Sequence, residues 1–165
     1  MIRVRAATPA DAPAVAAIYN EGIAGREATF ETRPREPAEL SAWFAESPFL
    51  VAEGLAGEVV GFAHVSAYSD RCVYAGVGEH GVYVAAAARG RGAGRALLHE
   101  LCAAAEQAGY YKLTARIFTT NAASRALHVA AGFEEVGIQR RHGRLDGEWR
   151  DCVLVERLLG EAVRG

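Results

Sequence analysis

Apolar and charged residues alternate through "IRVRAAT" (2–8), as on a strand with one wet face. At Thr8 the period lengthens. Thr8 as cap, Pro9 at the first position and Asp11 three residues after the cap predict a helix start. Val15, Ile18, Tyr19 and Gly22 then share a face, and "NEGIAG" closes the element. Residues 23–36 are irregular and polar around Phe30, and "PAELSAWFAES" (37–47) predicts a short helix burying Leu40, Trp43 and Phe44. Strands follow at 49–53 and 58–68, joined by a turn with Gly54 and Gly57. After a long loop (69–78) comes a further strand at 79–85. A helix from Ala93 to Ala108 carries an apolar stripe of Leu97, Leu98, Leu101 and Ala105 and stops at Gly109. A strand at 112–118, a helix at 121–132 and two strands at 133–144 and 149–158, turning at Asp146-Gly147, complete the chain. This order predicts an α/β (α+β) fold, a mixed sheet with helices on its faces. Nothing repeats and no linker-like stretch divides residues 1–165, so a single domain is expected.

Composition narrows the partners. A net charge of −2 gives no footprint for nucleic acid and no polybasic membrane patch. No apolar run approaches the ~20 residues of a membrane span, and "MIRVRAATPADAP" lacks the apolar core of a signal peptide. Cys72, Cys102 and Cys152 are far apart and in no metal-like spacing. The expectation is a cytoplasmic protein with reduced thiols, no metal, and neither nucleic acid nor membrane as partner.

The chemistry concentrates in "VYVAAAARGRGAGRALLHEL" (82–101), where a strand runs through glycine and arginine into a helix. Such a junction bares backbone N–H groups at the positive end of a helix dipole, an anion site whose usual occupant is phosphate. No Gly-Lys occurs, which excludes a P-loop. Neither Gly90 nor Gly92 starts a G-x-G-x-x-G, which excludes the dinucleotide fingerprint. The spacing that fits is R-x-x-G-x-G: Arg89, Gly92, Gly94.

That spacing resembles the acyl-CoA pyrophosphate loop of the GNAT superfamily of N-acetyltransferases. "NAASRALHVAAGF" (121–133) is similar to the superfamily's second signature, about 30 residues on and in the right order. Within it, "IYNEGI" (18–23), "ATFET" (28–32), "EHGVYV" (79–84), "SRALHVAAGF" (124–133) and "GEWRD" (147–151) resemble the phosphinothricin and methionine sulfoximine N-acetyltransferases, including arsinothricin-acetylating members. The resemblance implies a GNAT fold, with a mostly antiparallel sheet of about six to seven strands flanked by about four helices. It implies acetyl-CoA as cosubstrate and a small glutamate-like amino acid as acceptor, in a detoxification setting. A homodimer is implied by analogy, with the apolar N-terminal helices able to supply an interface.

Acetyl transfer from a thioester needs a base for the ammonium proton, donors for the oxyanion and an acid for the thiolate. On a strand, Glu79, Gly81 and Tyr83 share one face and His80, Val82 and Val84 the other. The resemblance assigns Glu79 as base and His128 as the group that protonates the thiolate. It places the backbone of Val82, Tyr83 and Val84 along the pantetheine arm; the Val84 N–H is the candidate oxyanion donor. Arg89, Gly90, Arg91, Gly92, Ala93, Gly94 and Arg95 would hold the pyrophosphate, and Asn121 would touch the pantetheine. A second acidic group on the acceptor calls for arginine. Arg71 is the candidate, with Phe30, Tyr74 and Tyr83 as walls and Arg26 and Arg33 as alternatives. The loop "SDRCVYAGVG" (69–78) departs from better-known members, which carry Trp there. Two other readings remain at this point: an acetyltransferase for another small amine, polyamine or aminoglycoside, and a non-catalytic acyl-CoA sensor.

Overall fold

The computed structural model describes residues 1–165. Seven strands form one sheet: β1 (Arg3–Ala6), β2 (Phe49–Glu53), β3 (Val59–Ala67), β4 (Val77–Val84), β5 (Lys112–Phe118), β6 (Glu134–Leu145) and β7 (Glu148–Leu158). Their spatial order is β1-β2-β3-β4-β5-β7-β6. The helices are α1 (Ala12–Gly25), α2 (Ala93–Gln107), α3 (Ala122–Ala130) and a last turn, α4 (Glu161–Arg164).

Strand alternation builds a core on each face. Phe49, Val51 and Phe62 pack beneath Val15, Ile18, Tyr19 and Ile23 of α1. Leu50, Ala52, Ala63 and Val65 meet Leu97, Leu98 and Leu101 of α2 on the other face. The Thr8–Asp11 capping box forms, with the Thr8 amide donating to Asp11 Oδ2 at 2.8 Å, although the first turn is 3-10. Residues 37–47 differ from the predicted helix. They make two 3-10 turns, Pro37–Leu40 and Trp43–Ala45. Trp43 stacks on His64 and Phe44 on Phe49, so contact with the sheet, more than helix propensity, shapes this short segment.

One irregularity positions the site. β4 and β5 are the only parallel neighbours, and they pair only from Val77–Lys112 to Glu79–Thr114. β4 continues along β3 through Val84, while β5 follows β7 through Phe118. Each strand stays with its antiparallel partner, and the sheet splits between them. No helix of the structure is long and apolar enough to cross a membrane.

Candidate active site

The split opens into a cleft of about 540 Å³, bounded by β4, the 88–95 loop, the end of β5, α3 and the end of α1. Ala85 N–H donates to Val60 O at 2.8 Å. Antiparallel alternation then turns the Tyr83 amide toward β3 and the Val82 and Val84 amides toward the gap left by β5. Those two amides are the ones free to meet an extended ligand.

At the mouth of α2, Gly90 and Gly92 take φ of +79° and +89°, and nothing lies within 4 Å of where a Cβ would stand. Gly92 is the N-cap and no side chain caps the helix, so its first amides face the cleft unpartnered. A diphosphate fits this cradle. Arg89 and Arg95 line it, whereas Arg91, expected beside them, is exposed outside the cleft. Gly94 also departs from expectation: it lies inside the helix, where a Cβ would come 3.0 Å from the Leu127 side chain. Its smallness serves packing of α2 on α3, while its amide, in the first turn, still lines the cleft.

His128 is 2% exposed and His80 6%. Their Nε2 atoms lie 3.0 Å apart, and His128 Nδ1 sits 2.8 Å from Ser124 O. A carbonyl oxygen only accepts, so His128 Nδ1 carries the hydrogen. Its neutral ring then accepts at Nε2 from His80 Nε2–H, leaving His80 Nδ1 as a lone pair. That Nδ1 is the one buried side-chain polar atom without a hydrogen-bond partner. Burial lowers the pKa of His128, and burial together with His128 pushes His80 down to about 3. The expected thiolate acid is thus a neutral ring with both nitrogens engaged inside the protein, and it must exchange one hydrogen bond to reach a departing sulfur.

Glu79 does not line the cleft and does not meet His128. It accepts from Arg116 Nη1 at 3.2 Å, with both side chains partly exposed. Arg116 lines the cleft, and its Nε donates to Gln139 Oε1 at 2.9 Å. The acceptor-side expectations change accordingly. Arg71 lies over Tyr74 beside an exposed 3-10 turn, and neither lines the cleft. Arg26 is ion-paired to Asp146 and Arg33 to Glu39. Phe30 stands behind the wall, edge-on to Phe118, which does line it. Tyr83 lines the cleft and stacks on Phe62, with burial raising its phenol pKa.

Asn121 lines the cleft, and its amide is also tied into the protein. Oδ1 accepts from Ser124 N–H at 3.1 Å as the cap of α3, and Nδ2 donates to Glu27 O at 3.0 Å. Glu27 is a hub that sequence reasoning missed: its carboxylate accepts from Thr120 Oγ1 at 2.8 Å and from Arg150 at 3.3 Å. No local pattern marks Glu27. Arg116 had a signal, being the one exposed residue of "KLTARIF", held between Ala115 and Ile117. The apolar face of α1, with Val15, Ile18, Tyr19 and Ile23, is buried against the sheet.

Residues 16–133 match the model of the Acetyltransferase (GNAT) family. The chain is 35% identical over 158 residues to the L-methionine sulfoximine/L-methionine sulfone acetyltransferase of Pseudomonas aeruginosa, covering 93% of this chain and 92% of that one. It is 36% identical over 162 residues to the phosphinothricin N-acetyltransferase of Alcaligenes faecalis, covering 94% and 82%. Among solved structures, a GNAT superfamily phosphinothricin acetyltransferase from Sinorhizobium meliloti in complex with acetyl-CoA superposes with a TM-score of 0.91 at 34% identity, covering 97% and 89%.

Proposed function

The chain belongs to the GNAT family of acetyltransferases and is an N-acetyltransferase with acetyl-CoA as donor; from that premise we propose that it acetylates the α-amine of a small glutamate-like amino acid. Methionine sulfoximine, phosphinothricin and arsinothricin are the type, and acetylation would remove the ammonium charge that makes them resemble glutamate. The observation that carries this reading is identity of about 35% along nearly the whole chain to enzymes named for two of these acceptors. Cleft charge agrees with it. Beyond Arg89 and Arg95 at the diphosphate cradle, Arg116 lines the cleft on a single partly exposed pair with Glu79, and Glu27 is already paired to Arg150, which suits an anionic acceptor better than a polycation.

Bound at Gly90 and Gly92, acetyl-CoA supplies the activated thioester. The residues of this chain do the rest. Glu79, through a water, takes one proton from the acceptor ammonium and leaves a neutral amine. The Val84 N–H, turned into the gap, is placed to donate to the developing oxyanion. His128, steadied by His80, contributes to protonation of the thiolate by giving up one of its two hydrogen bonds. We assign the protein to the cytoplasm and to a homodimer whose interface includes the edge strand β6, where Val136 and Ile138 are more than half exposed.

A released-thiol assay across methionine sulfoximine, phosphinothricin, spermidine and kanamycin tests the acceptor class. Turnover of the two amino acids alone is expected, and turnover of only the polycations would remove the proposal. In the same assay Glu79→Gln should lower kcat by on the order of a hundredfold or more, with acetyl-CoA affinity held within twofold.

A further inference from the structure

We propose that Arg116 selects the anionic acceptor, and that the acceptor's α-carboxylate displaces Glu79 from its guanidinium, so that substrate binding itself frees the base. This rests on the amino-acid acceptor proposed above and names the residue and the exchange that serve it.

The guanidinium is oriented but only half committed. Nε is fixed by Gln139 at 2.9 Å, Nη1 makes a single contact with Glu79 at 3.2 Å, and Nη2 has no protein partner. Arg116 is 35% exposed and Glu79 41% by side chain, and single ion pairs in that setting are worth little. A carboxylate that engages Nη1 and Nη2 together makes the stronger, two-pronged contact. Exchange is therefore favoured by an acceptor with a free carboxylate over the same acceptor without one. The remaining cleft cations, Arg89 and Arg95, flank the glycine cradle at the start of α2. Arg26, Arg33 and Arg150 are already ion-paired.

The exchange has a defined proton balance. While held, Glu79 Oε1 accepts from Arg116 and that lone pair is occupied. Once displaced, Glu79 accepts one proton relayed from the acceptor ammonium, becomes a neutral acid, and returns the proton to solvent after the amide has formed. No oxidant or further reactant enters.

Arg116→Met and Arg116→Lys, compared with wild type on methionine sulfoximine and its carboxamide, test both halves. Wild type should prefer the free acid. Arg116→Met should raise KM for the acid about tenfold to a hundredfold, erase the preference over the carboxamide, and leave KM for acetyl-CoA within twofold. Arg116→Lys, which keeps the charge and loses the fork, should fall between. With the carboxamide, kcat of Arg116→Met should exceed wild type, because Glu79 is released without a carboxylate. A retained acid preference in Arg116→Met would overturn selection, and an unraised kcat with the carboxamide would overturn the exchange. If wild type acetylates neither compound but acetylates spermidine, the acceptor reading itself falls, a result separate from either.

Discussion

The two ends of the cleft are encoded differently. The donor end is local: the exposed amides of Val82 and Val84, the positive-φ glycines and the start of α2 lie within residues 82–95. The acceptor end is assembled from segments far apart in sequence. Thr120 reaches Glu27 across 93 positions, Arg150 reaches it across 123, and Arg116 reaches Glu79 across 37. A local site needs only the conformations of consecutive residues, so it survives drift elsewhere in the chain. An assembled site changes whenever strand register or a loop changes, which suits the half that must discriminate among acceptors.

The sharpest test of that contrast is Gly92→Val. A β-branched residue at φ +89° is strained and places methyl groups over the anion cradle. Acetyl-CoA affinity by calorimetry should fall by more than about a hundredfold, with the urea midpoint of the free protein moving much less. Undiminished affinity would end the claim that the donor end is a local backbone site.

The histidine pair lining the cleft should reveal itself through acid. The ordinary histidine pKa is about 6.5. Burial holds His80 near 3 and His128 below its ordinary value, so between these limits the unfolded chain binds protons that the folded chain refuses. Stability is whole above about pH 6.5 and is lost as pH falls from there toward 3. At pH 5 the His80 share is about 2 kcal/mol. Urea unfolding at pH 7.5 and 5.0 should show that loss in wild type and not in the His80→Gln/His128→Gln double variant. Equal losses in both would mean that the pair is not the titrating element.

The smallest effect belongs to the tether between the ends. Asn121→Ala removes the cap of α3 and the bond to Glu27 O, and should cost about 1 kcal/mol of stability. KM for the acceptor should rise severalfold while KM for acetyl-CoA stays within twofold. The opposite split would return Asn121 to the donor end.

The legibility of the chain follows the same division. All seven strands were visible as alternation or short apolar runs bounded by turns, and α2 as a stripe ending at Gly109. Residues 37–47 misled because three apolar residues at helical spacing also suit two 3-10 turns pressed on aromatic rings. His80 was visible on the same strand face as Val82, but its partner was not, since His128 lies 48 residues away on a different element. Proximity along the chain pointed to Arg71, whereas Arg116 lines the cleft and Arg71 does not.

By itself the sequence determined the glycine cradle, the helix that follows it and the two-faced strands, because backbone conformation is set by each residue's sterics and its near neighbours. Only the tertiary structure decided that Glu79 meets Arg116, that His80 meets His128, and that Glu27, just past α1, meets the turn after β5 and Arg150 of β7. Those pairings depend on strand order and register, and a shift of one residue would turn each of these strand side chains to the opposite face.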